Sequence, residues 1–375
     1  MKRVLLVFGT RPEAIKMAPV VKALMAQEGL ETRVCISSQH RELLQPALEL
    51  FDLKPDYDLD IMRPGQSLSG ITARILLALE PVLKDCQPNI MLVHGDTTTG
   101  FAAALSGFYH DVPVAHVEAG LRTGNIKSPW PEEFNRTTIG QLASLHFAPT
   151  KQCRENLLRE AVQESRIHVT GNTVIDALIQ VRDVVNARDE QRQKLEREFD
   201  FLDSSRRLIL ITGHRRENYG EGFESICTAL ESLASSCSDS VELVYPVHLN
   251  PNVKQVVEAR LSGIPNLHLI EPIGYSEFVY LMARCFLILT DSGGIQEEAP
   301  AFGKPVLVMR DTTERPEAID AGTARLVGTD SELIVTETLR LLSDSSHYDA
   351  MARAGSPFGD GTAAIQIAAA IADYC

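Results

Sequence analysis

Short runs of apolar residues alternate with longer amphipathic segments along the whole chain. The runs have the length of buried β-strands, and the segments between them, such as 12–27 and 69–85, have the apolar spacing of α-helices. The alternation predicts parallel sheets covered by helices on both faces. We predict strands at 3–8, 33–37, 90–94, 113–117, 145–148 and 166–169 in the first half, and at 207–212, 241–245, 267–270, 286–290, 305–309 and 323–328 in the second.

A repeated pattern indicates two similar halves in a chain of 375 residues, which is too long for one ordinary core. Val4–Arg11 reads VLLVFGTR, and Leu208–Arg215 reads LILITGHR. We interpret each as the first strand and turn of a Rossmann-like domain, with coincidence as the alternative, because strand–glycine–helix is common in α/β proteins. The charge-rich segment 183–206 is expected to form a solvated helix and a loop near the domain boundary. The predicted domains are 1–172, joined by a C-terminal helix at 362–375, and 173–361.

Composition limits the classes of function. The net charge of −14 argues against bulk nucleic-acid binding, but it leaves room for a small anionic ligand in a locally basic pocket. The seven cysteines include no C-x-x-C pair, which predicts reduced thiols in a cytoplasmic protein and no zinc site built on cysteine. The first apolar run ends at Phe8, too early for a signal peptide, and no run reaches the roughly 18 apolar residues of a membrane span.

Polar residues that directly follow predicted strands are the candidates for chemistry, because ligands of open α/β sheets bind beyond the carboxyl ends of the strands. Arg11 and Lys16 lie near a helix N-terminus, where the helix dipole disfavours cations. They indicate a nearby anion such as a diphosphate, although Lys16 alone could equally be a surface lysine. Asp96 follows the third strand and could instead cap a helix, whereas Glu118 after the fourth strand has no obvious capping role.

A second group of candidates surrounds these residues. Glu132 and Glu133 begin a helix behind two prolines, and one of them can be purely structural, because acids are favoured in a first helical turn. In the second half, His214 follows the first predicted strand. Close carboxylates shift one another's pKa, so Asp96, Glu118 and Glu132 together with a histidine could supply a proton donor and an acceptor at one pH.

In the stretch LTDSGGIQEEAP, the end of a predicted strand is followed by the turn Asp291-Ser292-Gly293-Gly294 and then by an apparent helix start. Free backbone N–H groups at such a turn favour a phosphate. Glu297 and Glu298 follow within one helical turn, and their negative charges do not suit a phosphate. The sequence contains neither G-x-G-x-x-G nor G-x-x-x-x-G-K-[ST] nor H-E-x-x-H, so a dinucleotide redox cofactor, a P-loop and a dense metal motif are not expected.

At this point long blocks of the sequence resemble a known family. They are FGTRPEAIKMAP, HGDTTT, HVEAGLRTG, SPWPEEFNR, TGNTVIDAL, GHRRENYGEGF, YPVHLNPNV, LTDSGGIQEEAP and VLVMRDTTERPEA, and they run in order from residue 8 to 318, with FGDG extending the match to 361. The chain resembles the non-hydrolysing UDP-N-acetylglucosamine 2-epimerases of bacteria over nearly its whole length.

The resemblance implies a fold like that of the GT-B glycosyltransferases, with two Rossmann-like parallel-sheet domains and the active site in the cleft between them. The domain 173–361 would bind UDP. It implies reversible conversion of UDP-N-acetylglucosamine to UDP-N-acetylmannosamine through elimination of UDP, a 2-acetamidoglucal intermediate and re-addition. No metal or redox cofactor is implied. The enzyme would be a cytoplasmic homodimer that supplies precursors of cell-envelope polysaccharides such as enterobacterial common antigen.

The resemblance also assigns residues. Glu298 would bind the ribose, which leaves Glu297 as a favourable first-turn acid. The implied catalytic residues are Asp96, Glu118, Glu132 and His214. The implied contacts to the UDP-sugar are Arg11, Lys16, Asp96, Glu118, His214, Ile273, Phe278, Ser292, Gly293, Gly294, Glu298 and Arg315. A second UDP-N-acetylglucosamine, bound as an activator, would contact Gln39, Gln66, Arg215 and His248, with Glu42 and Gly65 standing where some relatives carry Gln and Arg.

Three other functions stay open on the sequence. A hydrolysing epimerase would release free N-acetylmannosamine and UDP. A glycosyltransferase of the same fold would need an acceptor pocket. A non-catalytic UDP-sugar sensor would bind without turnover, which the three acids and the histidine argue against.

Overall fold

The computed structural model describes residues 1–38, 41–63 and 65–375, without the side chains of 41–43. Contacts divide the chain into two compact units, one formed by Met1–Ile179 with Phe358–Cys375 and the other by Gln180–Pro357. Each unit has its own parallel sheet with helices packed against it. The predicted fold class, two Rossmann-like α/β domains, is confirmed, while the boundaries at 172 and 362 stay predictions.

The first unit contains a sheet of seven strands in the order β3-β2-β1-β4-β5-β6-β7. All of the pairings are parallel, with Val4 of the central strand opposite Thr32 on one side and Ile90 on the other. The strands are β1 Lys2–Phe8, β2 Leu30–Ile36, β3 Tyr57–Asp58, β4 Ile90–His94, β5 Val114–Val117, β6 Leu145–Ala148 and β7 Ile167–Val169.

The second unit contains a sheet of six strands in the order β10-β9-β8-β11-β12-β13. The strands are β8 Arg207–Thr212, β9 Val241–Pro246, β10 Leu267–Ile270, β11 Leu287–Thr290, β12 Val306–Val308 and β13 Ala324–Leu326. Counted from the first strand of each unit, both sheets contain the order 3-2-1-4-5-6 that defines the Rossmann fold, and the first sheet adds β7 at its edge. The repeated pattern at Val4–Arg11 and Leu208–Arg215 therefore marks the same strand, β1 or β8, in each unit.

Sixteen α-helices connect and cover the strands in the described part of the chain. They are α1 Arg11–Met25, α2 Arg41–Leu50, α3 Leu68–Cys86, α4 Thr98–Tyr109, α5 Glu132–Leu142, α6 Lys151–Arg159, α7 Thr173–Ala187, α8 Asp189–Glu198, α9 Glu221–Ser236, α10 Pro251–Leu261, α11 Tyr275–Arg284, α12 Gly293–Glu298, α13 Pro316–Asp320, α14 Ser331–Ser343, α15 Ser345–Ala352 and α16 Ala363–Tyr374. Helix α16 packs against α1. Within these described residues, no helix combines the length and the apolar character needed to cross a membrane.

Two local features differ from the sequence prediction. Strand β3 was missed, since two residues at a sheet edge give no readable alternation. The segment 183–206 was expected to be solvated, yet Leu195 of α8 and Phe199 just after it are buried. Phe199 stacks on Tyr280 with 5.8 Å between ring centroids, so a highly charged helix is nevertheless anchored by apolar side chains.

Candidate functional site

In the first unit, the candidate residues lie where the strand order reverses, between β1 and β4. Adjacent loops at such a reversal leave toward opposite faces of the sheet and open a crevice at the carboxyl edge. Gly9 and Thr10 follow β1, and Gly95 and Asp96 follow β4. Gly9 is required by close packing, because a Cβ atom there would lie 1.9 Å from the Ser37 hydroxyl oxygen.

Glu13 holds these two loops together, and it was missing from the predicted site. Its carboxylate accepts hydrogen bonds from the backbone N–H groups of Gly9 at 3.0 Å and Thr10 at 2.8 Å, and from the Thr97 hydroxyl at 2.7 Å. Burial raises the pKa of Glu13, which is 1% exposed. The capping box Thr10-x-x-Glu13 at the start of α1 is the sequence pattern from which Glu13 could have been identified.

Glu118, directly after β5, has three polar side chains close to its carboxylate. Its Oε1 accepts from Lys16 Nζ at 2.5 Å and from Asn172 Nδ2 at 2.8 Å. His94 Nε2 lies 3.4 Å from the other oxygen. The backbone of Glu118 has a φ of +63°, a left-handed conformation that a glutamate adopts only when its surroundings hold it there. The structure thus points Lys16 at a carboxylate, where the sequence suggested a diphosphate or solvent.

Two buried histidines support this region without carrying charge. Burial lowers the pKa of His94 to about 4 and that of His116 to about 3. His116 Nε2 lies 2.7 Å from the Gly95 carbonyl oxygen, which ties β5 to the loop after β4. Both rings are therefore neutral at pH 7, so they act here as packing and hydrogen-bonding groups.

Asp96 lies close enough to the other acids to be affected by them. Its pKa is raised by burial first, and the charges of Glu118 and Glu132 raise it further, while Arg136 and Lys16 lower it. Arg136 Nη2 donates to Asp96 Oδ2 at 2.5 Å. The structure therefore brings the three predicted catalytic carboxylates into one electrostatic group with two cations, an arrangement that can separate a proton donor from an acceptor.

The two adjacent glutamates at the start of α5 differ in surroundings. Glu133 is 3% exposed, and its Oε1 accepts from the backbone N–H groups of Thr123 and Gly124, each at 3.0 Å. Glu132, the first residue of the helix, is half-buried. Glu133 is consequently the acid that holds the preceding loop, and Glu132 is the one whose charge reaches Asp96. Arg11, the other predicted cation, is exposed.

In the second unit, the corresponding reversal lies between β8 and β11. Asp291, fully buried after β11, accepts from the backbone N–H groups of His214 and Arg215, each at 2.8 Å. His214 Nδ1 lies 3.4 Å from Asp291 Oδ1, and its ring stacks on His248 with centroids 5.5 Å apart. Burial lowers the pKa of His214, and the charge of Asp291 opposes that shift. Sequence reasoning treated Asp291 only as part of a phosphate turn and missed its role in fixing His214.

The stretch after Asp291 forms a short helix, α12, whose N-cap is Ser292. The Arg215 guanidinium lies beside the start of this helix, since a Cβ atom built on Gly293 would be 3.6 Å from it, in ordinary van der Waals contact. Glu297 was expected to be a first-turn acid, and this was wrong. It is the fifth residue of α12, 3% exposed, and it accepts a hydrogen bond from the guanidinium of Arg315. A buried salt bridge therefore fixes Arg315 beside the helix.

The remaining predicted contacts of the second unit lie on neighbouring elements. Glu298 ends α12 and is half-buried, and its negative charge acts on the Tyr275 hydroxyl, whose pKa burial raises well above the usual value. Ile273 lines a pocket of about 360 Å³ in the loop after β10. Phe278 lies half-buried on α11.

Of the four predicted activator contacts, three lie among the described residues. Gln39 lies outside the described residues. Gln66, just before α3, accepts a hydrogen bond from the guanidinium of Arg74. Arg215 and His248 lie beside His214 as described above. Over residues 1–38, 41–63 and 65–375, no group of three or more His, Cys, Asp and Glu side chains is arranged to hold a metal ion.

Comparison with known proteins decides the family. Residues 22–372 match the family described as UDP-N-acetylglucosamine 2-epimerase. The chain belongs to this family. A relative of that name from Yersinia pestis is 59% identical over 372 residues, covering 99% of this chain and 99% of the relative. The family resemblance found in the sequence is therefore confirmed.

Solved structures agree with this membership. The UDP-GlcNAc 2-epimerase from Neisseria meningitidis bound to UDP-GlcNAc has a TM-score of 0.89 and 49% identity, covering 99% of this chain and 100% of that one. The glycosyltransferase SnogD from Streptomyces nogalater has a TM-score of 0.59 at 15% identity, covering 100% of this chain and 99% of that one. This second likeness concerns the fold alone and agrees with a GT-B-like architecture. As a member of the UDP-N-acetylglucosamine 2-epimerase family, the chain is an epimerase and therefore an isomerase.

Proposed function

We propose that this protein interconverts UDP-N-acetylglucosamine and UDP-N-acetylmannosamine by eliminating UDP to a 2-acetamidoglucal and then re-adding UDP at carbon 1, with the proton returned to the opposite face of carbon 2. The observation that carries the proposal is the group of carboxylates Asp96, Glu118 and Glu132 with Lys16 and Arg136 at the carboxyl edge of the first sheet. Relatives named for this epimerisation support the choice of substrate.

The chemistry explains why several acids are needed. The proton on carbon 2 of the sugar is not adjacent to a carbonyl group, so its direct removal is very unfavourable. Departure of UDP builds positive charge at carbon 1 and makes that proton more acidic. A carboxylate can then accept the proton, and a second acid can return one to the opposite face of the glucal. Asp96, whose pKa is raised by burial, suits the proton-donating role, and Glu118, which accepts from Lys16 and Asn172, suits the accepting role.

Residues of the second unit suit the UDP group. Backbone N–H groups at Ser292, Gly293 and Gly294 can receive phosphate oxygens, and Glu298 can accept from the ribose hydroxyls. His214 is neutral at pH 7, because burial lowers its pKa, so it can donate a hydrogen bond to a leaving phosphate without adding a fixed charge. The remaining contacts proposed here are Arg11, Ile273, Phe278 and Arg315.

We also infer how the enzyme is activated, what cofactor it needs and where it works. A second UDP-N-acetylglucosamine acts as an activator through Gln39, Gln66, Arg215 and His248. The reaction proceeds without a metal or redox cofactor. The protein works in the cytoplasm, where its product supplies cell-envelope polysaccharides.

We also propose a homodimer formed through the outer faces of α3, α4 and α5. A groove of about 480 Å³ there is lined by Leu76, Phe101, Trp130 and Phe134, and Trp130 is 68% exposed. Apolar patches of this kind mark protein interfaces. We expect Phe134→Glu to lower the mass measured by light scattering to that of a monomer. Ile365→Glu, at an exposed apolar position on α16, should leave the mass unchanged. A Phe134→Glu protein of unchanged mass would contradict the interface.

One experiment separates the candidate functions. The protein is incubated with UDP-N-acetylglucosamine in deuterated water and followed by proton NMR. The proposal requires UDP-N-acetylmannosamine carrying deuterium at carbon 2. Free N-acetylmannosamine with UDP would favour the hydrolysing epimerase. Unchanged substrate would refute epimerisation and leave the UDP-sugar sensor or a glycosyltransferase that needs an acceptor.

A further inference from the structure

Asn172 lies where the segment on which the chain leaves the first unit meets the segment on which it returns. It follows β7 and directly precedes α7, the helix on which the chain leaves this unit after Ile179. Its backbone N–H donates to the carbonyl of Phe358 at 2.7 Å, where the chain returns. The two segments touch so closely that a Cβ atom on Gly171 would lie 3.1 Å from the Gly359 Cα. Asn172 is thus fixed by both segments.

The side chain of Asn172 connects this junction to Glu118. Its Oδ1 accepts from the backbone N–H of Val174 at 3.1 Å, which caps α7, and its Nδ2 donates to Glu118 Oε1 at 2.8 Å. Because the oxygen serves the helix, the amide nitrogen must face the carboxylate. Asn172 is 3% exposed, so water does not readily replace this donor.

Other charged or titratable groups face the same carboxylate. Lys16 of α1 donates to the same oxygen, His94 of β4 lies near the other, and Asp96 interacts with it electrostatically. Lys16 supplies charge, whereas Asn172 supplies a donor held by two rigid segments. A donor to the ionised form favours that form over the protonated one.

We propose that Asn172 is a positioning residue: its amide keeps the carboxylate of Glu118 ionised and orients Oε1 for proton transfer. This inference rests on the proposed function, in which Glu118 accepts the carbon 2 proton. It assigns to Asn172 a role beyond capping α7.

The substitution Asn172→Asp separates the two roles. Aspartate caps a helix as well as asparagine does, but it turns a charged acceptor toward Glu118 in place of a donor. We expect kcat to fall at least about tenfold, as part of the roughly 10²–10⁴-fold contribution of a positioned acid–base group. KM should change little, and the acidic limb of the kcat–pH profile should move to higher pH. Asn172→Ser, which caps but cannot reach Glu118 with an amide, should lower kcat with a smaller displacement of that limb.

Thr173→Val is the matched control. Thr173 is the next residue, is 1% exposed, and its hydroxyl has no hydrogen-bond partner among the described residues. It should keep the wild-type kcat and pH profile. Asn172→Asp with the wild-type kcat and profile would overturn the inference and leave Asn172 as a cap only.

A readout without turnover keeps this inference separate from the proposed function. The ¹³C-carboxyl signal of Glu118, identified by its loss in Glu118→Gln, is titrated in wild type and in Asn172→Asp. Titration at higher pH in the variant supports the positioning role even if wild type produces no UDP-N-acetylmannosamine, in which case the proposed function alone fails. An unchanged titration overturns the positioning role.

Discussion

Lys16 and Glu118 are 102 residues apart in the chain, yet Lys16 Nζ lies 2.5 Å from Glu118 Oε1 in a largely buried ion pair. One partner comes from the first helix of the unit and the other from the end of β5, on the far side of β4 in the sheet. The pair therefore spans the crevice at which the sheet order reverses. The contribution of this ion pair to the free energy of unfolding can be measured, because each partner has a nearly isosteric neutral replacement.

We expect Lys16→Met to lower the free energy of unfolding by about 3 kcal/mol, since it leaves a buried carboxylate without its cation. Adding Glu118→Gln should restore part of this loss, giving a coupling energy of about 1–3 kcal/mol in a double-mutant cycle followed by urea unfolding.

The control for this cycle is the exposed pair Lys84–Glu80, with 2.6 Å between charged atoms. Its cycle of Lys84→Met and Glu80→Gln should give less than about 1 kcal/mol. Equal coupling energies for the two pairs would show that burial does not strengthen the Lys16–Glu118 interaction.

The neighbouring acids Glu132 and Glu133 allow the same substitution at adjacent positions. Glu132→Gln should lower turnover by about 10²-fold or more, because it removes an ionisable group from the carboxylate cluster, with little effect on the melting temperature. Glu133→Gln keeps an oxygen that can accept from Thr123 and Gly124 but removes the charge 3.6 Å from Arg136 Nη1, so its turnover should fall much less than that of Glu132→Gln. Steady-state kinetics and thermal melting test both variants. A large loss of turnover in Glu133→Gln with wild-type turnover in Glu132→Gln would reverse the assignment.

The strand ends could be located from the sequence because parallel strands leave continuous apolar runs. Glu118 follows such a run directly, and Asp96 and His214 follow after a single glycine. Two other residues carried weaker local signals. Glu13 could have been found from its capping box, whereas Asp291 looked like a turn residue because its partners are backbone N–H groups that no side-chain pattern reveals.

Contacts between distant segments could not be predicted in the same way. Lys16 meets Glu118, and Arg315 meets Glu297, only because sheet order and loop paths bring separate segments together. Glu297 was misread for a related reason. The exact first residue of a six-residue helix decides whether an acid lies in the first turn, and helix boundaries are the least certain part of a sequence prediction.

Substitution of Asp291 tests its electrostatic interaction with His214 in the second unit. In Asp291→Asn the amide oxygen can still accept from the backbone N–H groups of His214 and Arg215, but the negative charge that opposes the burial effect on His214 is gone. We expect the pKa of His214, already below its ordinary value, to fall further. The Cε1–H proton signal of His214 reports this in an NMR titration. The signal of His110 in the first unit is the internal reference, and an unchanged His214 titration would contradict the pairing.

Asp176 gives the first unit a pH-dependent stability. It is 3% exposed on α7, and its Oδ1 accepts from the backbone N–H of Ala364 at 2.8 Å, at the start of α16. Burial raises its pKa from 3.8 to about 6, so the native state binds this proton more tightly than the unfolded chain. The resulting stability is fully present below about pH 4 and is lost as the pH rises through 6, by up to about 3 kcal/mol.

Asp176→Asn keeps the oxygen that caps α16 and removes the titration. We expect the variant to melt at a higher temperature than wild type at pH 7.5, and the advantage to shrink or disappear at pH 4. Asp176→Ala, which loses the cap as well, should melt below Asp176→Asn at both values. Thermal melting of the three proteins across this pH range measures the effect. A difference between wild type and Asp176→Asn that stays constant with pH would mean that Asp176 does not titrate between 4 and 7.5 in the folded protein.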